Sequence, residues 1–448
     1  MNVNTSIWSW TGPIARKRFT ITWVLALALK YNIDRLLALA YDTYSTPVDY
    51  FEPLFSGFER VPGPLFGWVL VTAIPAIYLL TTATRRRLVD IGAPTGLTPM
   101  ALVPGVNLLF FVVLSVLPSE RQSTGDLAWM DTVVPRSGLG AAALGIVAST
   151  VPALLGAMLS VWGLEDYGFG VFMAIPFFTG MMAALVFTYH EQRSAGQCFV
   201  VALMSIGLLG VLIFATAVEG LICIIMAAPL ATSVAAVGGL VGYFLQGVLR
   251  RGRNSVHAML ALLVAVPLFM GAEHLEDDQP PLIPVETSVV VDAPPEVVWD
   301  EVVTFSDLPD PTDPLFKTGI AYPTDATIDG QGPGAVRYCN FTTGPFVEPI
   351  TVWDKPHRLA FDVSEHPPAM RETSIYEHLD APHVDGYFVS EKGQFLLEEL
   401  PGNKTRLTGT TWYRHEVWPV AYWKVFSDEI IHRIHLRVLN HIAEEATR

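Results

Sequence analysis

Three side chains late in the sequence have the chemistry to transfer a proton: Glu348, Tyr413 and His435. General acid–base catalysis needs such a group inside a cavity, with a pKa adjusted by its surroundings. Their sequence positions do not show that they converge. They are therefore candidates for catalysis, to be tested by their placement in the fold.

Arg337 and Glu348 are predicted to share one face of a β-sheet. Two strands joined by a turn at residues 342–345 carry them, and pairing of Phe341 with Phe346 places every second residue on the same side. The residues on that side are Arg337, Cys339, Phe341, Phe346, Glu348 and Ile350. We expect an internal salt bridge between the two charges; the alternative is that they hold the polar group of a ligand.

The sequence indicates no metal site and no cofactor. His432 and His435 are three residues apart on a predicted helix, and His378 and His383 fall in a loop-like stretch, but no HExxH pattern or third ligand at fixed spacing accompanies them. The cysteines are too far apart in sequence for a disulfide framework or a clustered thiolate site. They are Cys198, Cys223 and Cys339. The sequence has no phosphate loop and no basic stripe, so nucleic acid is not an expected partner.

The elements that would carry these residues follow one another from residue 285 onward. Residues 285–291 alternate as a strand, and prolines then open a helix in the run APPEVVWDEV. Antiparallel strands with Pro, Gly and Asn turns come next, and residues 419–445 form a long helix with an apolar stripe. The order is strand, helix, antiparallel strands and long helix.

This order, with the run APPEVVWDEV and the closing helix, resembles the START-like helix-grip superfamily, also called SRPBCC or polyketide cyclase/dehydrase-like. The resemblance covers residues 285–446. It implies an α+β fold whose curved antiparallel sheet grips the C-terminal helix around an apolar cavity. Because the superfamily includes both binding proteins and enzymes, the fold does not decide the function. The expected cavity residues are Arg337, Cys339, Phe341, Glu348, Trp412, Trp423, Ile431 and His435.

Charge divides the 448 residues into two parts. The chain is 51% hydrophobic and 16% charged, whereas soluble proteins carry about 25% charged residues. The first 272 residues have a net charge of +2 and the remainder has −17. Residues 273–284, EHLEDDQPPLIP, are acidic and proline-rich. The sequence therefore predicts a multi-pass membrane domain at residues 1–272, a linker at 273–284 and a helix-grip domain at 285–448.

Eight apolar stretches are long enough to cross a hydrocarbon core of about 30 Å as helices. They are residues 19–41, 65–83, 97–117, 139–162, 168–189, 198–218, 221–249 and 256–272. If all eight stretches cross, the basic loop residues are divided almost equally between the two sides of the membrane. If residues 97–117 enter and leave on one side, twelve basic loop residues lie on the cytoplasmic side and one lies on the outer side. Pro99, Pro104 and Asn107 would permit that re-entrant path. It places the C-terminal domain outside the cytoplasm, and the eight-span alternative places it inside.

Ionisable residues also occur in and beside the apolar stretches. Lys30 and Asp34 can neutralise each other as a polar seam; an ion path is the alternative. The runs RKRF at 16–19 and TRRRLVDIG at 84–92 resemble a bacterial inner-membrane family of unknown function with an Arg-Arg-Leu-x-Asp-x-Gly turn. That resemblance covers about the first 120 residues and implies the bacterial cytoplasmic membrane, with no chemistry. The predicted membrane polar cluster is Lys30, Asp34, Arg85, Arg86, Arg87 and Asp90.

The sequence leads to a membrane-tethered domain that binds or transfers an apolar or amphipathic, lipid-like small molecule. A cyclase-like or dehydratase-like enzyme acting on a membrane-soluble substrate is one alternative. A sensor in which ligand capture alters the membrane helices is another. The expected partners are a hydrophobic molecule and the bilayer, and the sequence gives no oligomeric state.

Overall fold

The computed structural model describes residues 8–41, 63–103, 106–117, 119, 132–249, 280, 282–372, 374–376, 379, 382–384 and 386–448. The chain divides into two compact units. The first unit comprises Met1–Thr216 and Ile224–Glu276. The second comprises Ala217–Cys223 and Asp277–Arg448.

The first unit is built from helices. Its early helices are α1 (Arg16–Ala40), α2 (Gly63–Ile91) and α3 (Val106–Val116), with a 3-10 helix at Thr95–Leu102. The later helices are α4 (Gly138–Met158), α5 (Ile175–Phe187), α6 (Ala195–Ala215) and α7 (Leu221–Leu249), whose first turn belongs to the second unit. Among the described residues, five helical segments are long and apolar enough to cross a membrane. They are Gly63–Ile91, Gly138–Leu164, Gly170–Phe187, Ala195–Ala215 and Leu221–Gln246.

The apolar stretch at residues 97–117 is not one continuous helix. The 3-10 helix ends at Leu102, and α3 has 11 residues, a length of about 16 Å at about 1.5 Å per residue. Neither piece crosses a core of about 30 Å by itself. The re-entrant path and the full crossing both remain predictions.

Two other predicted spans have different outcomes. Residues 19–41 fall in α1, which is 25 residues long but carries too many charged side chains to be among the five apolar segments. Residues 256–272 lie outside the described part of the chain.

Glycines bring the backbones of α5 and α7 into contact. A Cβ atom on Gly180 of α5 would lie 2.0 Å from the Ala235 carbonyl oxygen of α7, and one on Gly238 would lie 2.0 Å from the Phe177 oxygen. Every residue of α5 is buried. Small residues permit this close approach. Membrane helices associate through such packing, because lipid tails are as apolar as the helices and the hydrophobic effect does not drive the helices together.

The second unit contains a seven-stranded antiparallel sheet in the order β1-β7-β6-β5-β4-β3-β2. Its strands are β1 (Ile283–Val291), β2 (Pro323–Asp329), β3 (Val336–Phe341), β4 (Gly344–Asp354), β5 (Arg358–Asp362), β6 (Phe388–Leu400) and β7 (Lys404–His415). α8 (Pro295–Val303) follows β1, and α9 (Val420–Glu445) is the last helix. The predicted order of strand, helix, antiparallel sheet and long helix is confirmed.

The core of the second unit lies between α9 and one face of the sheet, which we call the inner face. Leu439 of α9 packs near Gly409 of β7, and α9 also contacts β1. Alternation along each strand explains why apolar residues of several strands meet here. One cluster of buried core residues includes Trp299, Phe305, Cys339, Ile350, Leu359, Leu397, Leu407, Val438, Leu439 and Ile442.

Gly180→Ala in the full chain tests the close packing of α5 and α7. The added methyl group overlaps the Ala235 carbonyl oxygen, so we expect a loss of about 1–3 kcal/mol of stability. The measurement is the temperature at which the buried Cys198 thiol becomes reactive toward a maleimide dye in detergent.

Gly207→Ala is the matched control, because no atom lies within 4 Å of a Cβ at Gly207. Alanine favours a helix over glycine by up to about 1 kcal/mol, so this variant should melt at or above the wild-type temperature. Equal melting temperatures for the two variants would contradict the backbone contact.

Candidate functional site

Arg337 and Glu348 are directly opposite each other on β3 and β4. Phe341 pairs with Gly344 rather than with Phe346, because the loop between the strands is only residues 342–343. Gly344 has a φ of 146°, which suits glycine in so tight a connection. The pairing thus differs from the predicted one by two residues, and an even shift leaves the same side chains on the same face.

The guanidinium of Arg337 is buried, with 1% of the residue exposed. Its Nη1 donates to the Glu348 carboxylate, and its Nε donates to the Val303 carbonyl oxygen at the end of α8, at 3.3 Å. The expected salt bridge therefore forms. Nη2 has no hydrogen-bond partner among the described residues, and a buried donor left without one costs about 1–3 kcal/mol.

Three aromatic rings surround the same guanidinium. Its Cζ lies 5.5 Å from the ring centroid of Phe305, 5.7 Å from that of Phe361 and 5.6 Å from that of Phe395. Cations within about 6 Å of a ring centroid are attracted by the ring electrons. The rings also exclude water, so a polar ligand atom beside Arg337 would interact with little screening.

Burial sets the protonation of the neighbouring groups on the inner face. It raises the pKa of Glu348, against the attraction of Arg337. It also raises the pKa of Cys339 to about 12, so this thiol is protonated at neutral pH. Cys339 therefore acts as a small apolar side chain and not as a nucleophile.

His435 uses both ring nitrogens to join α9 to the sheet. Its Nε2 lies 2.8 Å from the Thr411 hydroxyl and its Nδ1 lies 3.1 Å from the Thr287 hydroxyl. His432 shares the Thr287 hydroxyl at 2.8 Å. Burial, followed by the charge of His432, lowers the pKa of His435 to about 4. At neutral pH this imidazole is uncharged, with one nitrogen donating and the other accepting.

Tyr413 is fully buried and its hydroxyl donates to Asp428 Oδ1 at 2.7 Å. Burial and the Asp428 carboxylate raise the pKa of Tyr413, so the phenol is neutral. The three candidates for catalysis thus lie in separate groups of contacts. Glu348 contacts Arg337, Tyr413 contacts Asp428, and His435 contacts two threonines.

Three further predicted cavity residues lie on α9 and on β7. Trp423 and Ile431 are buried on α9, where Ile431 packs with Tyr413. Trp412 alternates with Tyr413 along β7 and so faces the other side, where Lys392 Nζ lies 5.2 Å from its ring. The structure therefore does not bring Trp412 to the inner face.

The predicted membrane polar cluster forms separate groups in the first unit. Lys30 and Asp34 form an ion pair on α1, with 7% and 5% of these residues exposed. Arg87 of α2 pairs with Asp90, and its Nε donates to the Leu114 carbonyl oxygen at 3.0 Å. The Lys30–Asp34 pair lies within α1, whereas the Arg87 bond to Leu114 joins α2 to α3. The polar seam and the ion path both remain predictions.

Arg85 and Arg86 contact the segment before α1. Arg85 Nη1 donates to the Trp10 carbonyl oxygen at 2.6 Å. Arg86 Nε donates to the Gly12 carbonyl oxygen at 3.3 Å. Both arginines therefore hold that segment against α2.

Four side chains with metal-ligand chemistry meet elsewhere in the second unit. Glu219, Cys223, Glu372 and His383 offer donor atoms that all lie within 4.8 Å of one another. The sequence indicated His383 as a histidine in a loop-like stretch, but it did not indicate that these four side chains are close in space. Cys223 is 149 residues from Glu372 and 160 from His383, and the one local signal is the four-residue spacing of Glu219 and Cys223 at the start of a helix.

The lowered pKa of His435 predicts a loss of stability in acid. The unfolded state, with a histidine pKa of about 6.5, binds more protons than the folded state between about pH 6.5 and about pH 4. Stability should fall through that window as pH decreases, by up to about 1.4 kcal/mol per pH unit for this one group. His435→Gln should reduce the slope. Near-UV circular dichroism during heating, at about pH 7 and about pH 5, measures the stability at each pH and therefore the slope.

His357→Gln is the control, because His357 is exposed. This variant should keep the wild-type dependence on pH. An unchanged slope in His435→Gln would contradict a neutral, partly buried histidine.

Comparison with known proteins gives matches among solved structures. No family model matches the sequence, and no curated protein matches it. Truncated norcoclaurine synthase from Thalictrum flavum is 12% identical, with 38% of this chain and 96% of that chain covered and a TM-score of 0.25. The Zhui aromatase/cyclase from Streptomyces sp. R1128 is 17% identical, with 38% and 95% covered and a TM-score of 0.24. Similarities of this size assign no activity, and the inner-membrane family suggested by TRRRLVDIG stays a prediction.

Proposed function

We propose that the second unit binds an apolar or amphipathic small molecule between the inner face and α9. The observation that carries this proposal is the buried Nη2 of Arg337, which lacks a hydrogen-bond partner among the described residues. The great majority of buried side-chain donors in proteins are satisfied. An oxygen atom of a ligand would satisfy this one.

Partly buried aromatic rings support an apolar body for the ligand. Phe341, Phe346 and Phe395 pack against the core yet keep accessible surface. The rings of Phe341 and Phe346 meet edge to face, with centroids 4.7 Å apart. Covering such surface with an apolar molecule is favourable at about 25 cal/mol per Å².

The charge balance at Arg337 selects the polar group of the ligand. Glu348 already neutralises the guanidinium, so an additional anion would leave a net negative charge in a dry site. A carbonyl, ester or hydroxyl oxygen would accept from Nη2 without adding charge. We therefore infer a neutral polar head on a lipid-like or polyketide-like molecule.

We further infer that the first unit anchors the chain in a membrane. Large apolar side chains on its helices are exposed, including Leu25, Leu36 and Ile74 at 62%, 67% and 66%. Lipid would cover this surface. The chain connection would then keep the binding unit near a reservoir of membrane-soluble ligand and raise its effective concentration. With residues 97–117 re-entrant, the bias of basic loop residues would place the second unit outside the cytoplasm.

No observation on the described residues favours cyclisation or dehydration over binding. Tyr413 and His435 direct their hydrogen bonds to protein groups. Glu348 is held by Arg337.

The test is mass spectrometry of small molecules retained by the full chain after transfer to nanodiscs of one synthetic lipid. We expect about one bound apolar molecule per chain. Arg337→Met combined with Glu348→Leu removes both charges, a change that buried pairs commonly tolerate. Loss of a hydrogen bond to a charged donor, worth about 1.5–3 kcal/mol, should lower retention about tenfold or more.

Arg406→Met combined with Glu398→Leu is the matched control. This pair also joins neighbouring strands, but its side chains are 50% and 48% exposed, so retention should match the wild type. Wild-type retention by the Arg337 double variant, or a wild-type chain that retains no molecule other than the nanodisc lipid, would overturn the proposal.

A further inference from the structure

We propose that Glu219, Cys223, Glu372 and His383 bind one divalent transition-metal ion of the Zn²⁺ class. All four residues belong to the second unit. The proposal stands on their geometry and chemistry, and is independent of the small-molecule site at Arg337.

The donor set is one that Zn²⁺ accepts. It consists of one thiol, one imidazole and two carboxylates, and the donor atoms lie within 4.8 Å of one another. Zn²⁺ prefers four such ligands at about 2.0–2.3 Å in a tetrahedron. Thiolate and imidazole together select Zn²⁺ over Mg²⁺ or Ca²⁺, which prefer oxygen alone.

The distances within the cluster show close convergence. Cys223 Sγ lies 2.6 Å from Glu372 Oε1 and 2.9 Å from His383 Nε2. Glu219 Oε2 lies 3.2 Å from His383 Nδ1. Cys223 and Glu372 therefore lie at the Nε2 edge of the imidazole and Glu219 at its Nδ1 edge.

Glu372 gives a second, independent indication of a ligand. Its side chain is 1% exposed, and its Oε2 has no hydrogen-bond partner among the described residues. An unsatisfied buried carboxylate oxygen is costly. A metal ion would satisfy it.

Gly220 leaves the space in which that carboxylate lies. A Cβ atom on Gly220 would be 1.8 Å from Glu372 Oε2 and 2.4 Å from its Cδ. Any other residue at position 220 would therefore displace a ligand. The absence of a side chain at Gly220 therefore leaves room for the Glu372 carboxylate beside Glu219.

Electrostatics favours a cation at this place. Two carboxylates share a mostly buried site, since 13% of the Glu219 side chain and 1% of the Glu372 side chain are exposed. A divalent ion attracts both, and coordination by sulfur would release the Cys223 thiol proton to solvent. No electron transfer is involved.

Four protein ligands indicate a structural site and not a catalytic one. Catalytic zinc keeps a position open for water, whereas structural zinc is enclosed by four protein ligands. The ion would join the segment Ala217–Cys223 to the connection between β5 and β6. Because these segments are distant in sequence, the ion would constrain a long loop.

The experiment is Co²⁺ titration of the metal-stripped full chain in detergent. A cysteine-bound Co²⁺ gives a sulfur-to-metal charge-transfer absorption, which should saturate at one ion per chain and disappear when Zn²⁺ is added. Cys223→Ser should abolish the absorption. Cys198→Ser is the matched control that should keep it.

Two further variants keep the test decisive if Cys223→Ser fails to fold. His383→Gln and Glu372→Gln should each weaken Zn²⁺ binding at least about tenfold, measured by competition with a fluorescent chelator. The proposal is overturned if Co²⁺ gives no charge-transfer absorption, if folded Cys223→Ser retains it, or if both glutamine variants bind Zn²⁺ as tightly as the wild type.

Discussion

A charge buried among apolar side chains must be neutralised within a few ångströms, and this constraint explains the polar interior of both units. Lys30 pairs with Asp34, Arg87 with Asp90 and Arg337 with Glu348. The cost of removing such ions from water largely offsets their attraction, so a buried pair adds little net stability. Arg337 differs in that, among the described residues, one of its buried donors stays unsatisfied. The proposed ligand would satisfy that donor.

The spacing of apolar residues within one segment predicted the elements whose buried face repeats along that segment. Of the seven residues that helical spacing assigns to the apolar stripe of α9, four are buried, namely Trp423, Ile431, Val438 and Ile442. The other three, Phe426, Ile430 and Ile434, are half-buried. β2 was not predicted, because its sequence PTDATID opens with proline, contains two aspartates and forms the edge strand next to β3. The break before α3 depends on prolines whose effect in an apolar stretch varies with the surrounding helices.

The sites were predicted less completely than the fold, for a physical reason. Strand alternation placed Arg337 and Glu348 on one face, and an error of two residues in register did not alter that face. Whether a polar side chain is available to a substrate depends on its distant neighbours. His435 is held by Thr287 and Thr411, and no spacing on its own helix indicates those partners. For the same reason, the sequence did not indicate that Glu219, Cys223, Glu372 and His383 form a cluster.

The most direct test of the binding function is an experimental structure of the full chain in a native-lipid nanodisc, at a resolution that shows side chains and bound molecules. We predict non-protein density between the inner face and α9, with an atom about 2.8–3.0 Å from Arg337 Nη2. An interior filled by protein side chains, with Nη2 bonded to a protein oxygen or to a single ordered water, would contradict it.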